Sequence, residues 1–208
     1  MIDMTALTQD ALGAAALAVL ELEAASVGPF LLSRPFVVGP LVGAFFGHPL
    51  LGGGLGVAIE AVTIEELPLG GRLDLSAPVA AGVAAWLAAG PEALAVEAAF
   101  PVGLASGWVH ARVERALRAR RGVHARRVEA SLAAGRGHRL GRELASSIGL
   151  QTAATFAVTL AAVCVLGPLV ARLWPVLPEM ARAGAQAVFL TAPWLGAGGL
   201  AASLWSRA

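Results

Sequence analysis

Five residues near the end of a long apolar stretch carry the chemistry best suited to a small polar ligand: Glu60, Thr63, Arg72, Asp74 and Ser76. Carboxylates accept hydrogen bonds from adjacent hydroxyls, while guanidinium and hydroxyl groups donate to ring and hydroxyl oxygens. A cation site would need the acids without the arginine, so the mixture fits a neutral sugar better. In GVAIEAVTIEELPLGG, Glu60 and Thr63 fall on one face of a helix. Glu65 and Glu66 follow at the expected exit from helix to loop. A charge in the bilayer core costs about 2.5–3.5 kcal/mol, so such groups face a cavity, a partner or the interface. Glu65 and Glu66 read as a solvated rim, whereas Glu60 is open to both readings, site residue and interface residue.

Other catalytic templates are absent. The chain has no P-loop, no GxSxG and no HExxH. GGGLG lacks the preceding strand and the spacing of a dinucleotide fingerprint. His48, His110, His124 and His138 are scattered and read as loop residues. No zinc-ligand set is evident, and no metal or cofactor is expected. The single cysteine, Cys164, lies in the apolar run FAVTLAAVCVLG and reads as a small buried or lipid-facing residue. An autonomous enzyme is not expected.

The elements that must hold these residues are set by composition. The chain is 57% hydrophobic and 14% charged, with a mean hydropathy of +0.73. Soluble domains carry about 25% charged residues, so the expected solvent is largely lipid and the expected fold is all-α and polytopic, with broken or re-entrant hairpins. All 15 basic residues are arginine. Most lie in HARVERALRARRGVHARRVEASLAAGRGHRLGRE, His110 to Glu143, between strongly apolar blocks. The positive-inside rule reads this as a cytoplasmic loop, itself expected to be partly helical, rather than a nucleic-acid surface. The start, MIDMTALTQD, has no basic n-region and does not read as a cleavable signal.

The whole chain, 1–208, reads as a single membrane domain. N-terminal hairpin segments occupy 11–111, a basic cytoplasmic loop 112–142, and C-terminal spans 143–208. Ala11 to Phe30 forms a first embedded helix with Glu21 and Glu23 at its acidic end. Pro35 to Ile59 has no formal charge, but its centre, GHPLLGGGLG, is poor helix. The expected geometry is two short helices, Pro35–Phe46 and Gly53–Val62, joined by a turn at Gly47–Gly52. Broken backbone at membrane depth survives only where protein or a water-filled cavity covers it. Pro91 is placed to start a helix in which Glu97 would be an embedded acid and Pro101 a kink. Leu144–Ala171 is the clearest span, and Ala183–Ser206 is the last. The segment TAPWLGAGGLAASLW resembles a second interruption, which would pair with Pro35–Ile59 as in inverted repeats.

The succession SRPFVVGPLVGAFFG, GGGLGVAIEAVTI and LPLGG resembles enzyme IIC, a membrane component of mannose/fructose/sorbose-type phosphotransferase systems. The matching positions are Arg34, Pro35, Leu41, Val42, Gly43, Gly47, Gly56, Glu60, Gly70 and Gly71, and the similarity is densest from Ser33 to Gly82. The resemblance implies a multi-pass protein of the bacterial inner membrane that pairs with a second membrane component, IID, in oligomers of IIC–IID units. A hexose-type sugar is bound within that assembly. IIA and IIB carriers pass a phosphoryl group from phospho-histidines to the sugar, and the IIC component itself is not phosphorylated. Glu60 matches the family's embedded acid-or-amide position and is the first expected sugar contact. Asp74 would also accept from sugar hydroxyls, Arg72 and Ser76 would order the loop, and Thr63 would lie beside Glu60.

The sequence departs from the family pattern at three places. Gly47–His48 stands where Gly-Asp is common. The usual Pro-Asp pair falls on Leu75–Ser76, with Asp74 two residues early. The chain is also short at its C-terminus by about two membrane segments of roughly 20 residues each. These departures keep a second reading open, a non-transporting membrane scaffold or sensor derived from the family. A third reading, a proton-coupled transporter using Glu97 or Glu60, finds no paired basic residue in the membrane.

Overall fold

The computed structural model describes residues 4–23, 31–63, 75–91, 93–134 and 140–205. Among these the fold is all-α, without strands. The helices are α1 (Met4–Leu22), α2 (Pro35–Phe45), α3 (Pro49–Thr63), α4 (Ala77–Ala89), α5 (Val96–Ala133), α6 (Leu140–Ala161), α7 (Gly167–Leu173) and α8 (Glu179–Trp205).

The broken hairpin is present, with a tighter turn than the glycine content suggests. Pro35 starts α2, where its fixed φ suits the first helical position and its missing N–H leaves no intrahelical bond unmade. Gly47 ends the helix in the left-handed region, φ +81°. The N–H groups of Gly47 and His48 donate to the Ala44 and Gly43 carbonyls at 3.0 and 2.7 Å. Pro49 then begins α3 directly. Gly52 lies inside α3 with Gly53 and Gly54, rather than in the turn. The reason is packing: a Cβ on Gly52 would overlap the Gly39 carbonyl oxygen, and one on Gly56 the Pro35 carbonyl oxygen. The two backbones touch where side chains would hold them apart.

Helix α4 is the centre of the fold. Every residue from Val79 to Ala89 is buried, as expected for a helix that is apolar on all sides. It packs against α2, α3 and α5, and its small side chains let α5 approach closely. A Cβ on Gly103 would meet the Ala80 carbonyl oxygen at 2.5 Å. One core cluster joins Leu55, Ile59, Val79, Val83 and Phe100 with Ala192 of α8. A second joins Leu17, Val38, Val42 and Val163 around Trp86, whose ring stands edge-on to Phe46 at 4.9 Å.

Several segments differ from the expectations set by the sequence. The arginine-rich segment is helical as far as Ala133, so α5 runs unbroken for 38 residues with Pro101 inside it. Because α5 begins at Val96 rather than Pro91, Glu97 sits in its first turn, where a carboxylate complements the helix dipole. Helix α8 is continuous through Pro193 and the following glycines, so the second interruption is not there. The α6 helix continues through a π turn, Ala162–Leu166, into α7. Pro168 follows one residue after it, beyond Gly167; its ring would clash with the carbonyl four residues back in a regular helix, and a wider turn accommodates it.

The helical stretch Leu140–Val176, 37 residues, is long and apolar enough to cross a membrane, while α2, α3 and α4 are shorter apolar helices. Leu144, Val165, Trp194 and Trp205 lie exposed along α6 to α8. An apolar surface of this extent calls for lipid or a protein partner.

The hairpin packing predicts opposite effects for two neighbouring glycines. Gly52→Ala should destabilise the chain by about 1–3 kcal/mol through overpacking. Gly54→Ala, whose new methyl meets open space, should be neutral or stabilising by up to about 1 kcal/mol. Thermal unfolding in detergent, followed by circular dichroism, checks this; equal effects would contradict the close-packed interface.

Candidate functional site

The hairpin brings Glu60 to Arg34. Gly56 lies against Pro35, which seats the last turns of α3 beside the start of α2. Arg34 precedes α2 and Glu60 lies one turn beyond Gly56. Arg34 Nη1 is 3.0 Å from Glu60 Oε1, with the arginine side chain 44% exposed and the glutamate 18%. The other carboxylate oxygen, Oε2, is buried and has no hydrogen-bond partner among the described residues. Glu60 therefore has one oxygen held by a cation and one oxygen still able to accept a donor.

The remaining expected site residues fall as follows. Thr63 is buried, and its hydroxyl is turned onto its own helix, donating to the Ile59 carbonyl at 2.9 Å and reaching the Glu60 carbonyl at 3.4 Å. Ser76 is buried at the N-cap position of α4 without a side-chain capping bond. Its backbone N–H donates to the Gly107 carbonyl at 3.0 Å, tying the entry of α4 to α5. Arg72 and Asp74, like Glu65 and Glu66, lie outside the described residues.

A second polar centre lies among α1, α5 and α6. Glu21, His110 and Glu114 are each buried, and one potential ligand atom from each lies within 4.8 Å of the others. Gln151 Nε2 lies 3.4 and 3.3 Å from the two Glu21 oxygens. Thr155 Oγ1 donates to Glu21 Oε2 at 3.1 Å and lies 2.9 Å from His110 Nε2. Arg118 Nε donates to Glu114 Oε1 at 2.8 Å, and Arg121 Nη1 to Gln151 Oε1 at 3.2 Å.

Sequence reasoning misses this centre because it reads His110 as a loop histidine and looks for ligands close together in the chain. Two helical stripes are the available signal. His110, Glu114 and Arg118 recur every four residues along α5, and Gln151, Thr155 and Thr159 do the same along α6. The three α6 residues are fully buried on a helix otherwise dominated by small and apolar side chains.

The match that decides the family covers nearly the whole chain. The family model of the phosphotransferase system sorbose-specific IIC component matches residues 9–208. The chain belongs to that family. It is a membrane component of a sugar phosphotransferase system. No curated protein and no solved structure matches this chain. For this IIC component the Arg34–Glu60 pair gains meaning, since both residues lie in the stretch that carries the resemblance. Arg34 is legible there only as part of an Arg-Pro helix start; its role as the partner of Glu60 emerges from the hairpin.

Removing one partner of that pair should reveal the coupling. Arg34→Ala leaves a mostly buried carboxylate without its cation. A double-mutant cycle with Glu60→Ala should return a coupling of about 1–3 kcal/mol, between the exposed and buried regimes for ion pairs. Additive single-mutant effects on unfolding in detergent would show that the pair does not hold the hairpin.

Proposed function

We propose that this IIC component forms part of a sugar-translocation path together with a IID membrane component, with Glu60 as a direct acceptor for sugar hydroxyls. The observation that carries this reading is the split state of the Glu60 carboxylate. Oε1 is paired with Arg34, while the buried Oε2 has no hydrogen-bond partner among the described residues. A buried acceptor left unmade costs about 1–3 kcal/mol, and more when it is charged. A hydroxyl donated by a neutral ligand removes that penalty without adding a charge. Arg34 fixes the orientation of the carboxylate through Oε1 and leaves Oε2 to accept.

In this reading the protein is multi-pass in the bacterial inner membrane, with the arginine-rich half of α5 on the cytoplasmic side. IIA and IIB carriers deliver the phosphoryl group to the sugar there. The chain binds and orients sugar and carries no phosphoryl group itself. Asp74, Arg72 and Ser76 are further candidates for the sugar or its loop, and Thr63 stiffens the last turn behind Glu60. The assembly repeats as IIC–IID units.

The test is sugar binding and uptake by the complex with its membrane partner. Glu60→Ala should weaken sugar binding by roughly tenfold to a hundredfold, matching about 1.5–3 kcal/mol for a hydrogen bond to a charged group. Glu60→Gln, which keeps an acceptor oxygen, should lose less. Wild-type binding and uptake in both variants would remove Glu60 from the site. A wild-type complex that co-purifies with its partner but binds no sugar would favour the scaffold or sensor.

A further inference from the structure

We propose that Glu21, His110 and Glu114 form a binding site for a divalent transition-metal ion of the zinc class, which clamps α1 to α5. The donor set is one imidazole and two carboxylates, all buried, with one potential ligand atom from each within 4.8 Å of the others. Imidazole and carboxylate together suit zinc and its neighbours rather than the all-oxygen shells of calcium or magnesium.

The histidine carries the argument. The single hydroxyl proton of Thr155 is directed to Glu21 Oε2 or to the Gln151 carbonyl, each at 3.1 Å. With the Thr155 proton so placed, the 2.9 Å contact between Thr155 and His110 is made by His110 Nε2–H donating to Thr155 Oγ1. In the neutral ring this leaves the lone pair on Nδ1. That atom is buried and has no hydrogen-bond partner among the described residues. A proton placed there would find no acceptor among the described residues, whereas a metal ion needs this lone pair. Metal-bound histidines characteristically donate their other ring N–H to a fixed group, which sets the tautomer. Thr155 occupies that role.

The charges agree. Glu21 is almost wholly buried, yet the groups that hydrogen-bond to it, Gln151 and Thr155 at 3.1–3.4 Å, are neutral donors. Glu114 has Arg118, but both arginine contacts fall on Oε1. Among the described residues, two buried carboxylates thus share one close guanidinium, and a cation at the centre supplies the missing charge. The ion would also tie together helices that otherwise meet little, since α1 packs chiefly on α6.

Co(II) is the probe, because its visible absorption reports nitrogen and oxygen ligation. The full chain, purified in detergent and stripped with chelator, should bind a single Co(II) per chain, displaceable by Zn(II), with a raised unfolding temperature. His110→Gln and Glu114→Gln should each weaken Co(II) binding by at least about tenfold, and Thr155→Val by about 10–100-fold through the lost support of the imidazole. His124→Gln, at a histidine paired with Glu143 outside the cluster, should bind as wild type. Should His110→Gln fail to fold, Glu114→Gln carries the same test. Absence of stoichiometric Co(II) binding by the wild type, or undiminished binding by a folded His110→Gln or Glu114→Gln, overturns the proposal.

Discussion

Direct backbone contact between α2 and α3 is the constraint on which the rest of the candidate site depends. Glycine in a helix costs about 1 kcal/mol against alanine, yet this interface uses Gly39, Gly43, Gly52 and Gly56 where a Cβ would overlap the facing helix. What the glycines permit is proximity. The turn at Gly47 reverses the chain in three residues, the two helices close face to face, and Pro35 comes against Gly56. Arg34 and Glu60, separated by 26 positions of nearly uncharged chain, meet at 3.0 Å as a consequence. With larger residues at the interface the helices would separate and the carboxylate would lose its cation.

The buried helix α4 sets the arrangement of the second polar centre relative to the first. It touches α2 and α3 on behalf of Glu60, and α1 and α5 on behalf of the Glu21–His110–Glu114 group. Its residues are mostly alanine, valine or glycine, so neighbours approach it closely on several sides. The polar groups therefore sit where apolar helices meet, and each is supported by a neighbour: Arg34 for Glu60, Arg118 for Glu114, and Thr155 and Gln151 for Glu21. Burying such groups is expensive unless they are paired or hydrogen-bonded. Two buried atoms, Glu60 Oε2 and His110 Nδ1, have no hydrogen-bond partner among the described residues.

Much of this architecture is legible from residues alone. The apolar blocks and the broken hairpin follow from charge-free runs interrupted by glycine and proline, whereas the weight placed on Glu60 comes from the family resemblance. What is not legible has physical reasons. Helix propensity extends the turn to Gly52, whereas tertiary contact keeps that residue helical because only glycine fits there against Gly39 and Gly43. Charge clustering leaves Arg112–Arg142 only partly helical, but helix-favouring alanine and arginine carry α5 without a break on to Ala133. The His110 centre combines residues up to 134 positions apart, beyond the reach of any local motif, although the four-residue stripes on α5 and α6 offer a partial sign. Arg72 and Asp74 lie outside the described residues, so their part in the site rests on the chemistry of their side chains in the sequence.

The central claim is that the free oxygen of Glu60 receives a sugar hydroxyl, and a cycle between protein and ligand tests it most directly. Binding of the transported sugar and of its singly deoxygenated analogues would be measured for wild-type and Glu60→Ala complexes. The account predicts one hydroxyl position whose removal weakens wild-type binding but no longer matters in the mutant, because both changes delete the same hydrogen bond. An equal loss from Glu60→Ala for every analogue, with no position at which the penalties merge, would contradict it.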